Sequence, residues 1–369
     1  MKKVANYLTI LFLIFILTGC WDVQDITSRA YITTIGFDRV KEGDTEDFQA
    51  TFEIVLPNKF NLENEKASFV ETVEAASIGS AMEKLQTRVP RDLSLAHVRV
   101  VLLGEEFAKE KNFLDIADFF QRNPNMQMRI RFLLVKDGEA KDILKQDPIY
   151  DKYIAKELVA MSQLDFALTR ANSFFDFVTQ LRVHDGSGLI GRTLISTEDK
   201  MIIRQGVGVY NNWRLYQWLS GEETNNLNWL LDEESFIVDA KYNKGLYTYM
   251  VDDKSVQINP IQNDEDLRFV VKIKTRGPLM QEQGQYIDAT DPKVLGELES
   301  VFSRKIKQEV ESAVAKAQQD IKVDYLGFDT ALRQVAEDKF EQLDWKKVFP
   351  TIPVTVEIDA DVIRFGLSK

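Results

Sequence analysis

The one cysteine of the chain lies where its thiol could be lipidated. Lys2 and Lys3 follow the initial Met1, an apolar run of 14 residues spans 4–17, and Leu17-Thr18-Gly19-Cys20 closes it. This order is typical of a secretory leader that ends in a lipobox. Small residues at 18 and 19 fit the signal peptidase, and the Cys20 thiol then accepts a diacylglycerol anchor with acyl chains such as palmitate. The alternative is a transmembrane helix, which needs about 20 apolar residues. The sequence therefore predicts a lipoprotein signal peptide over residues 1–19 and a lipid anchor on Cys20.

The charge balance limits what such a protein binds. The 369 residues include 58 acidic and 46 basic side chains, a net charge of −12, and removal of Lys2 and Lys3 with the leader leaves −14. Nucleic-acid binding needs clustered Lys and Arg, so no nucleic-acid partner is expected. An acidic domain is also repelled by anionic lipid headgroups. We expect the lipid chain, rather than a basic patch, to hold the protein at the membrane.

The sequence contains no residue pattern typical of catalysis. His97 and His184 are the only histidines, and no HExxH, HxH or Cys/His spacing surrounds them, so no metal site is expected. We expect His97 to cap or hydrogen-bond a loop, and His184 beside Asp185 is too weak a pattern for a catalytic dyad. No GxSxG, Walker A or GxGxxG motif is present. Paired glycosidase carboxylates are decided by their separation in space, which the sequence does not give. The prediction is no enzyme and no cofactor.

Aromatic residues are the remaining candidates for function. Five of them crowd into twenty residues: Tyr210, Trp213, Tyr216, Trp218 and Trp229. Such a density is typical of a ligand pocket, a partner interface or a core. Trp213 lies among polar residues and resembles the tip of a hairpin, whereas Trp229 lies in an apolar run that favours burial. Trp213, Tyr216 and Trp218 form the candidate partner interface, with burial in the core as the alternative.

Strand-like and helix-like segments alternate, which predicts an α+β fold of several mixed α/β domains with mostly antiparallel sheet. We expect an N-terminal α/β region over 20–200, as one unit or two subdomains, and a C-terminal α+β domain over 201–369. In the first region, the patterns predict strands at 31–37, 48–56, 98–103 and 130–135 and helices at 73–89, 107–120, 147–164 and 172–180.

In the second region, short strands predict a meander followed by one long helix. The meander strands are expected at 202–210, 236–239, 245–251, 255–261 and 267–275. Asp291 as N-cap and Pro292 as first helical residue begin a helix that reaches about Asp320, about 40 Å long. Helical turns at 328–340 and 345–349 and an alternating strand at 354–362 complete the prediction.

Several segments resemble the Ger(x)C family, the C-subunit lipoproteins of spore germinant receptors. The resemblance rests on Gly19-Cys20-Trp21-Asp22, Ile35-Gly36-Phe37-Asp38, Val89-Pro90-Arg91 with His97, Arg122-Asn123-Pro124, Gly208-Val209-Tyr210 and Asp324-Tyr325-Leu326-Gly327-Phe328. It covers essentially the whole mature chain. Phe37 replaces a usual aliphatic residue, and Asn123 stands where the family has Asp.

The resemblance implies a non-enzymatic subunit, lipid-anchored on the outer face of the spore inner membrane. Its partners would be the integral-membrane subunits of the same receptor, which detect nutrient germinants, and its work would be receptor assembly or signal relay. No small-molecule ligand is expected for this chain. The alternative is a solute-binding lipoprotein of a transporter. That class should carry a doubly wound parallel sheet in each lobe, which the expected meander and long helix disfavour.

Overall fold

The structure, a computed structural model, contains two β-sheets with helices packed against them. It describes residues 29–40, 47–57, 67–162, 173–195, 201–231, 236–263, 266–284, 287 and 291–363. The lipobox and Cys20 lie outside the described residues. The predicted mixed α/β class with one long C-terminal helix is confirmed.

The first sheet has ten strands and a parallel centre. Its strands are β1 (Arg29–Arg39), β2 (Phe48–Val55), β3 (Ser68–Ala75), β4 (Asp92–Ser94), β5 (Val100–Gly104), β6 (Arg131–Val135), β7 (Gly188–Ile195), β8 (Ile202–Ile203), β9 (Val207–Asn211) and β10 (Arg214–Leu219). The order across the sheet is β10-β9-β7-β6-β5-β1-β2-β3, with β4 beside β1 and β8 beside β7. Strands β1, β5, β6 and β7 run parallel, and the outer strands pair antiparallel.

Six helices cover the two faces of this sheet. They are α1 (Ile78–Gln86), α2 (Glu105–Glu110), α3 (Phe113–Arg122), α4 (Ala140–Leu144), α5 (Ile154–Ser162) and α6 (Phe174–Val183). One face packs against α1, α2, α3 and α6, and the other face against α4 and α5. The helix predicted at 73–89 is wrong at its start, because its first residues pair with β2 as the end of β3. Ser77 caps the helix, which begins at Ile78.

The second sheet is built on one long strand. Its strands are β11 (Phe236–Tyr242), β12 (Gly245–Val251), β13 (Asp253–Asn263), β14 (Asp266–Gln283) and β15 (Val354–Ile363). β12 and β13 follow each other along β14, to which both are antiparallel, and β15 pairs parallel to its opposite side. The helical segments of this half are α7 (Gly221–Asn228), α8 (Pro292–Ala315) with a π-helical continuation (Lys316–Ile321), α9 (Phe328–Phe340) and α10 (Trp345–Val348).

The long helix α8 follows from its sequence. The Asp291 side chain accepts a hydrogen bond from the Lys293 N–H, and Pro292 occupies the first turn, as predicted. Leu298, Phe302, Ile306 and Val310 form one buried stripe. This stripe and the inner face of the second sheet share one hydrophobic core.

Strands β9 and β10 contact both cores. Val207, Val209 and Leu219 belong to the core of the second sheet, whereas Tyr210 and Leu215 belong to a core of the first sheet. Because side chains alternate along a strand, one hairpin serves two layers. The division near residue 200 stays a prediction, and the first sheet continues beyond that position to Leu219.

Two buried carboxyl groups attach α4 and α5 to the sheet. The Asp38 carboxyl on β1 accepts hydrogen bonds from the Ala140 and Lys141 N–H groups at 2.7 and 3.0 Å. The Glu53 carboxyl on β2 accepts from the Ile154 and Ala155 N–H groups at 2.6 and 3.0 Å. Both carboxyl groups thus satisfy the first free N–H groups of a helix about 100 residues later in the chain.

Burial dominates the acidity of Asp38. It raises the pKa of Asp38 from 3.8 to about 6, although the two backbone hydrogen bonds act in the opposite direction. The folded chain therefore binds this proton more tightly than the unfolded chain. The stability that protonated Asp38 contributes is present at low pH and is lost as the pH rises through about 6.

Replacing Glu53 by Ala should destabilise the fold strongly. The Thr33 and Thr34 hydroxyls also donate to Glu53, so the change leaves two helix N–H groups and two hydroxyls without this acceptor. At about 1–3 kcal/mol for each buried donor left unsatisfied, we expect a loss of about 3 kcal/mol or more in the free energy of unfolding. Urea denaturation measures it. The exposed Glu83→Ala is the control, expected within about 0.5 kcal/mol of wild type. Equal effects of the two substitutions would contradict the role given to Glu53.

Candidate functional site

The three predicted interface residues lie on one hairpin, formed by β9, its turn and β10 (207–219), here called the aromatic hairpin. Asn212 and Trp213 form the turn, with φ angles of 49° and 64°. Two consecutive left-handed residues are the geometry of a tight hairpin turn whose twist matches the strands. Tyr216 and Trp218 follow on β10.

Trp213 is half-buried and connects three segments. Its N–H donates to the Gly186 carbonyl at 3.0 Å, and its own carbonyl accepts from the Phe113 N–H at 2.8 Å. The indole lies directly on Gly186, where a Cβ would come within 2.6 Å of the ring. Gly186 is therefore required at this position, and Trp213 joins the start of α3 to the loop after α6.

Trp218 and Tyr216 differ in what they contact. The Trp218 indole N–H donates to the Glu105 carboxyl at 2.8 Å. Burial works against ionisation of Glu105, but the hydrogen bonds from Lys109 and Trp218 outweigh it and lower the Glu105 pKa. Tyr216 is 55% exposed, the most exposed of the three. Trp213 and Trp218 thus attach the aromatic hairpin to the first sheet, and Tyr216 is available to a partner. Trp229 is fully buried and stacks on Phe236, as its apolar surroundings predicted.

Beside the turn, a polar cluster joins the loop after α6 to the C-terminal helices. It consists of His184, Asp185, Asp324, Asp329, Trp345 and Lys346, here called the junction cluster. His184 Nδ1 lies 2.7 Å from Asp329 Oδ2. Lys346 Nζ lies 2.9 Å from the Asp185 carboxyl and 3.0 Å from the Asn212 amide oxygen. These contacts cross between segments more than 130 residues apart.

Asp324 organises the C-terminal side of the junction cluster. Its carboxyl accepts from the N–H groups of Leu326, Gly327 and Asp329 at 2.8 to 3.1 Å and from the Trp345 indole at 3.1 Å. This network holds the turn that starts α9, on which Asp329 lies. Sequence inspection saw only Asp185 next to His184, because the true partner is 145 residues away.

The acidity of the junction cluster reflects its burial. Desolvation disfavours protonated His184, but the hydrogen bond to Asp329 and the charges of Asp329 and Asp324 outweigh it and raise the His184 pKa. Arg333 acts weakly in the opposite direction. Burial and the Asp329 charge raise the pKa of Asp324. The contacts of His184 with the two aspartates therefore favour its protonated form.

A separate cleft of about 680 Å³ opens between the start of α1 and the outer side of α3. Phe48, Phe107 and Phe119 contribute apolar surface to it, and Lys111 and Arg122 contribute positive charge. Its volume lies in the range of small-molecule sites. Among the described residues, no group of three or more His, Cys, Asp or Glu side chains is placed to hold a metal ion.

No helix within the described ranges has the length and apolar character needed to cross a membrane.

Comparison with known proteins identifies relatives over nearly the whole chain. Residues 22–191 match the family "Spore germination protein N-terminal domain", and residues 205–366 match "Spore germination B3/GerAC like, C-terminal". Spore germination proteins B3 and KC of Bacillus subtilis (strain 168) are 22% and 23% identical to the chain. These alignments cover 99% and 100% of this chain and 99% and 97% of the relatives. The crystal structure of the GerBC protein superposes with a TM-score of 0.57 at 19% identity, over 89% of this chain and 96% of that one.

The two histidines should respond to pH in opposite directions. Because the His184 pKa is raised, the folded chain binds that proton more tightly than the unfolded chain. The stability from His184 is fully present below the unfolded pKa of about 6.5 and is lost as the pH rises through the folded pKa. Denaturant unfolding should show a larger deficit for His184→Asn at about pH 5.5 than at about pH 8.5.

His97 is the matched control. Burial and the nearby Arg99 lower its pKa, so protonation of His97 costs stability at low pH. His97→Asn should therefore show no growing deficit toward low pH. The same pH trend in both variants would contradict the importance of the His184–Asp329 contact.

Proposed function

The chain belongs to the Ger(x)C family of spore germination proteins. From this we propose that it is the lipid-anchored subunit of a nutrient-germinant receptor at the spore inner membrane. The observation that carries the proposal is the match to both family domains, at 22–191 and 205–366, directly after the lipobox. Its work is assembly of the receptor or relay of the germination signal to or from integral-membrane subunits.

Three observations support a binding role without catalysis. His184, the more buried of the two histidines, is committed to Asp329, and the other, His97, packs edge-on against Tyr31 at 4.5 Å. In the second sheet, four strands pair antiparallel and only β15 pairs parallel to its neighbour. A solute-binding lipoprotein should instead have a doubly wound parallel sheet in each of its two lobes. The third is the lipobox, whose acyl chain would keep the protein beside membrane partners.

The partner contact is proposed on the aromatic hairpin, with Tyr216 as its exposed anchor. Tyrosine buries a large area at low entropic cost, which makes it frequent at interface centres. Trp213 and Trp218 fix the backbone on either side of Tyr216 through their contacts with Gly186 and Glu105. A partner would therefore meet a pre-ordered surface.

Cys20→Ala should abolish anchoring while leaving the domains folded. Only the thiol at residue 20 can take the diacylglycerol, so the leader should stay uncleaved by the lipoprotein peptidase and germination through the receptor should slow. Incorporation of radiolabelled fatty acid measures the modification. Thr18→Ser keeps a small residue and is the control that should remain labelled. A Cys20→Ala chain that is still fully labelled would refute the anchor.

Tyr216→Ala should weaken receptor assembly with little change in the thermal unfolding midpoint, because more than half of the side chain is exposed to solvent. Gln217→Ala, an exposed neighbour, is the control and should assemble normally. Native gel electrophoresis of detergent-solubilised membranes reports assembly. Trp213→Ala should lower the midpoint as well, by less than the roughly 3–5 kcal/mol of a fully buried Trp. Normal assembly of Tyr216→Ala would exclude the aromatic hairpin as the interface.

A further inference from the structure

The start of β1 lies close to the proposed lipid anchor along the chain. Eight residues, 21 to 28, lie between Cys20 and Arg29, so the two are nine residue steps apart. At about 3.3–3.6 Å per residue, this tether reaches at most about 30 Å. With Cys20 anchored in the bilayer, the side of the domain that contains the start of β1 therefore stays near the bilayer surface.

The parallel strands bring several loops to that same end of the first sheet. The Arg99 N–H donates to the Thr33 carbonyl of β1 at 2.9 Å, and the Arg131 N–H donates to the Arg99 carbonyl at 2.8 Å. The start of α6 joins them, because the Phe175 N–H donates to the Met128 carbonyl at 3.3 Å. We call this surface the tether end and define it by Arg29, Arg99, Met128, Arg129, Tyr150 and Phe175.

The tether end is basic, although the chain as a whole is acidic. Arg99 and Arg129 are exposed there, and Arg29 is half-buried. Arg99 is close enough to His97 and Tyr153 to influence the pKa of each. The nearby carboxyl groups are largely committed: Glu53 to the start of α5, Asp151 to Lys156, and Asp176 to Ser173, while Asp92 lies opposite Arg29 in the strand register.

Large apolar side chains stand among these arginines. Met128, Tyr150 and Phe175 are 45%, 75% and 61% exposed. Basic residues mixed with exposed aromatic and aliphatic residues are typical of protein surfaces that lie in the headgroup region of a bilayer. The positive charge complements an anionic leaflet, and the apolar side chains can enter its boundary.

We propose that the tether end docks on the anionic lipid surface beside the anchor. The inference rests on the proposed lipid anchoring and goes beyond it, because it names the side of the domain that faces the bilayer. It differs from the expectation that the acidic domain as a whole is repelled by the headgroups, because the arginines of the tether end are a local exception to the net negative charge. The remaining surface, including the aromatic hairpin's Tyr216, then stays free for protein partners.

The test uses the full-length lipidated chain in nanodiscs that contain phosphatidylglycerol and spin-labelled lipids. Cys20 is consumed by the anchor, so one added cysteine can take a fluorophore. The probe is placed by Met128→Cys at the tether end. The matched control is Glu106→Cys on α2, which follows the opposite end of β5. The fluorophore at 128 should be strongly quenched and the one at 106 unquenched. Quenching at 128 should fall with salt, because screening weakens the attraction.

Charge reversal provides the second arm. Arg99→Glu with Arg129→Glu should abolish quenching at 128, whereas Lys241→Glu with Lys274→Glu, which changes the net charge equally on the second sheet, should not. Circular dichroism checks that each variant is folded. Co-elution with the nanodisc reports the anchor independently of quenching.

The outcomes separate the docking from the anchor. Co-elution without quenching at 128, or equal quenching at 128 and 106, would overturn the docking and leave the anchor intact. Failure to co-elute would refute the anchor and the docking together. Unchanged quenching after the arginine reversal, combined with lost receptor assembly, would show that the tether end binds a protein instead of lipid.

Discussion

Two buried carboxyl groups, Asp38 on β1 and Glu53 on β2, hold the layers of the first domain in place. Each accepts two backbone N–H groups at the start of a helix that lies about 100 residues further along the chain. At Gly36, α4 comes so close to β1 that a Cβ would lie 2.9 Å from the Ala140 side chain. Hydrogen bonds and close packing therefore fix β1 between its helices. Since the proposed tether joins the chain at the start of β1, the same contacts determine which surface faces the membrane.

The aromatic hairpin and the junction cluster connect that domain to the C-terminal half. The aromatic hairpin gives one face to each core, and Trp213 and Trp218 hold it against α3 and Glu105. Next to its turn, His184 contacts Asp329, whose backbone N–H is held by Asp324. A partner that contacts the exposed Tyr216 would thus contact a hairpin that packs against both halves. This arrangement is consistent with the proposed role in receptor assembly or signal relay.

Local signals in the sequence were sufficient for much of the fold. Asp291 and Pro292 begin the long helix where capping chemistry predicts, and the alternation at 354–362 is a strand. The helix start at 73 was misread, because the same apolar residues also suit strand β3. The pairing of His184 with Asp329 and the capping by Glu53 are contacts between distant segments, and no spacing rule in one sequence reveals them. In the sequence, Asp38 stood out only as part of the family resemblance. The structure shows what its carboxyl does, which is to accept hydrogen bonds from the first N–H groups of α4.

The central claim is that this chain works as one subunit of a membrane receptor. Purification of the tagged full-length chain from spore membranes in mild detergent, followed by mass spectrometry of the proteins that co-purify, tests it most directly. The account predicts two polytopic membrane proteins, recovered in a fixed ratio to the chain. Recovery of the chain alone, or with the components of a solute transporter, would contradict it.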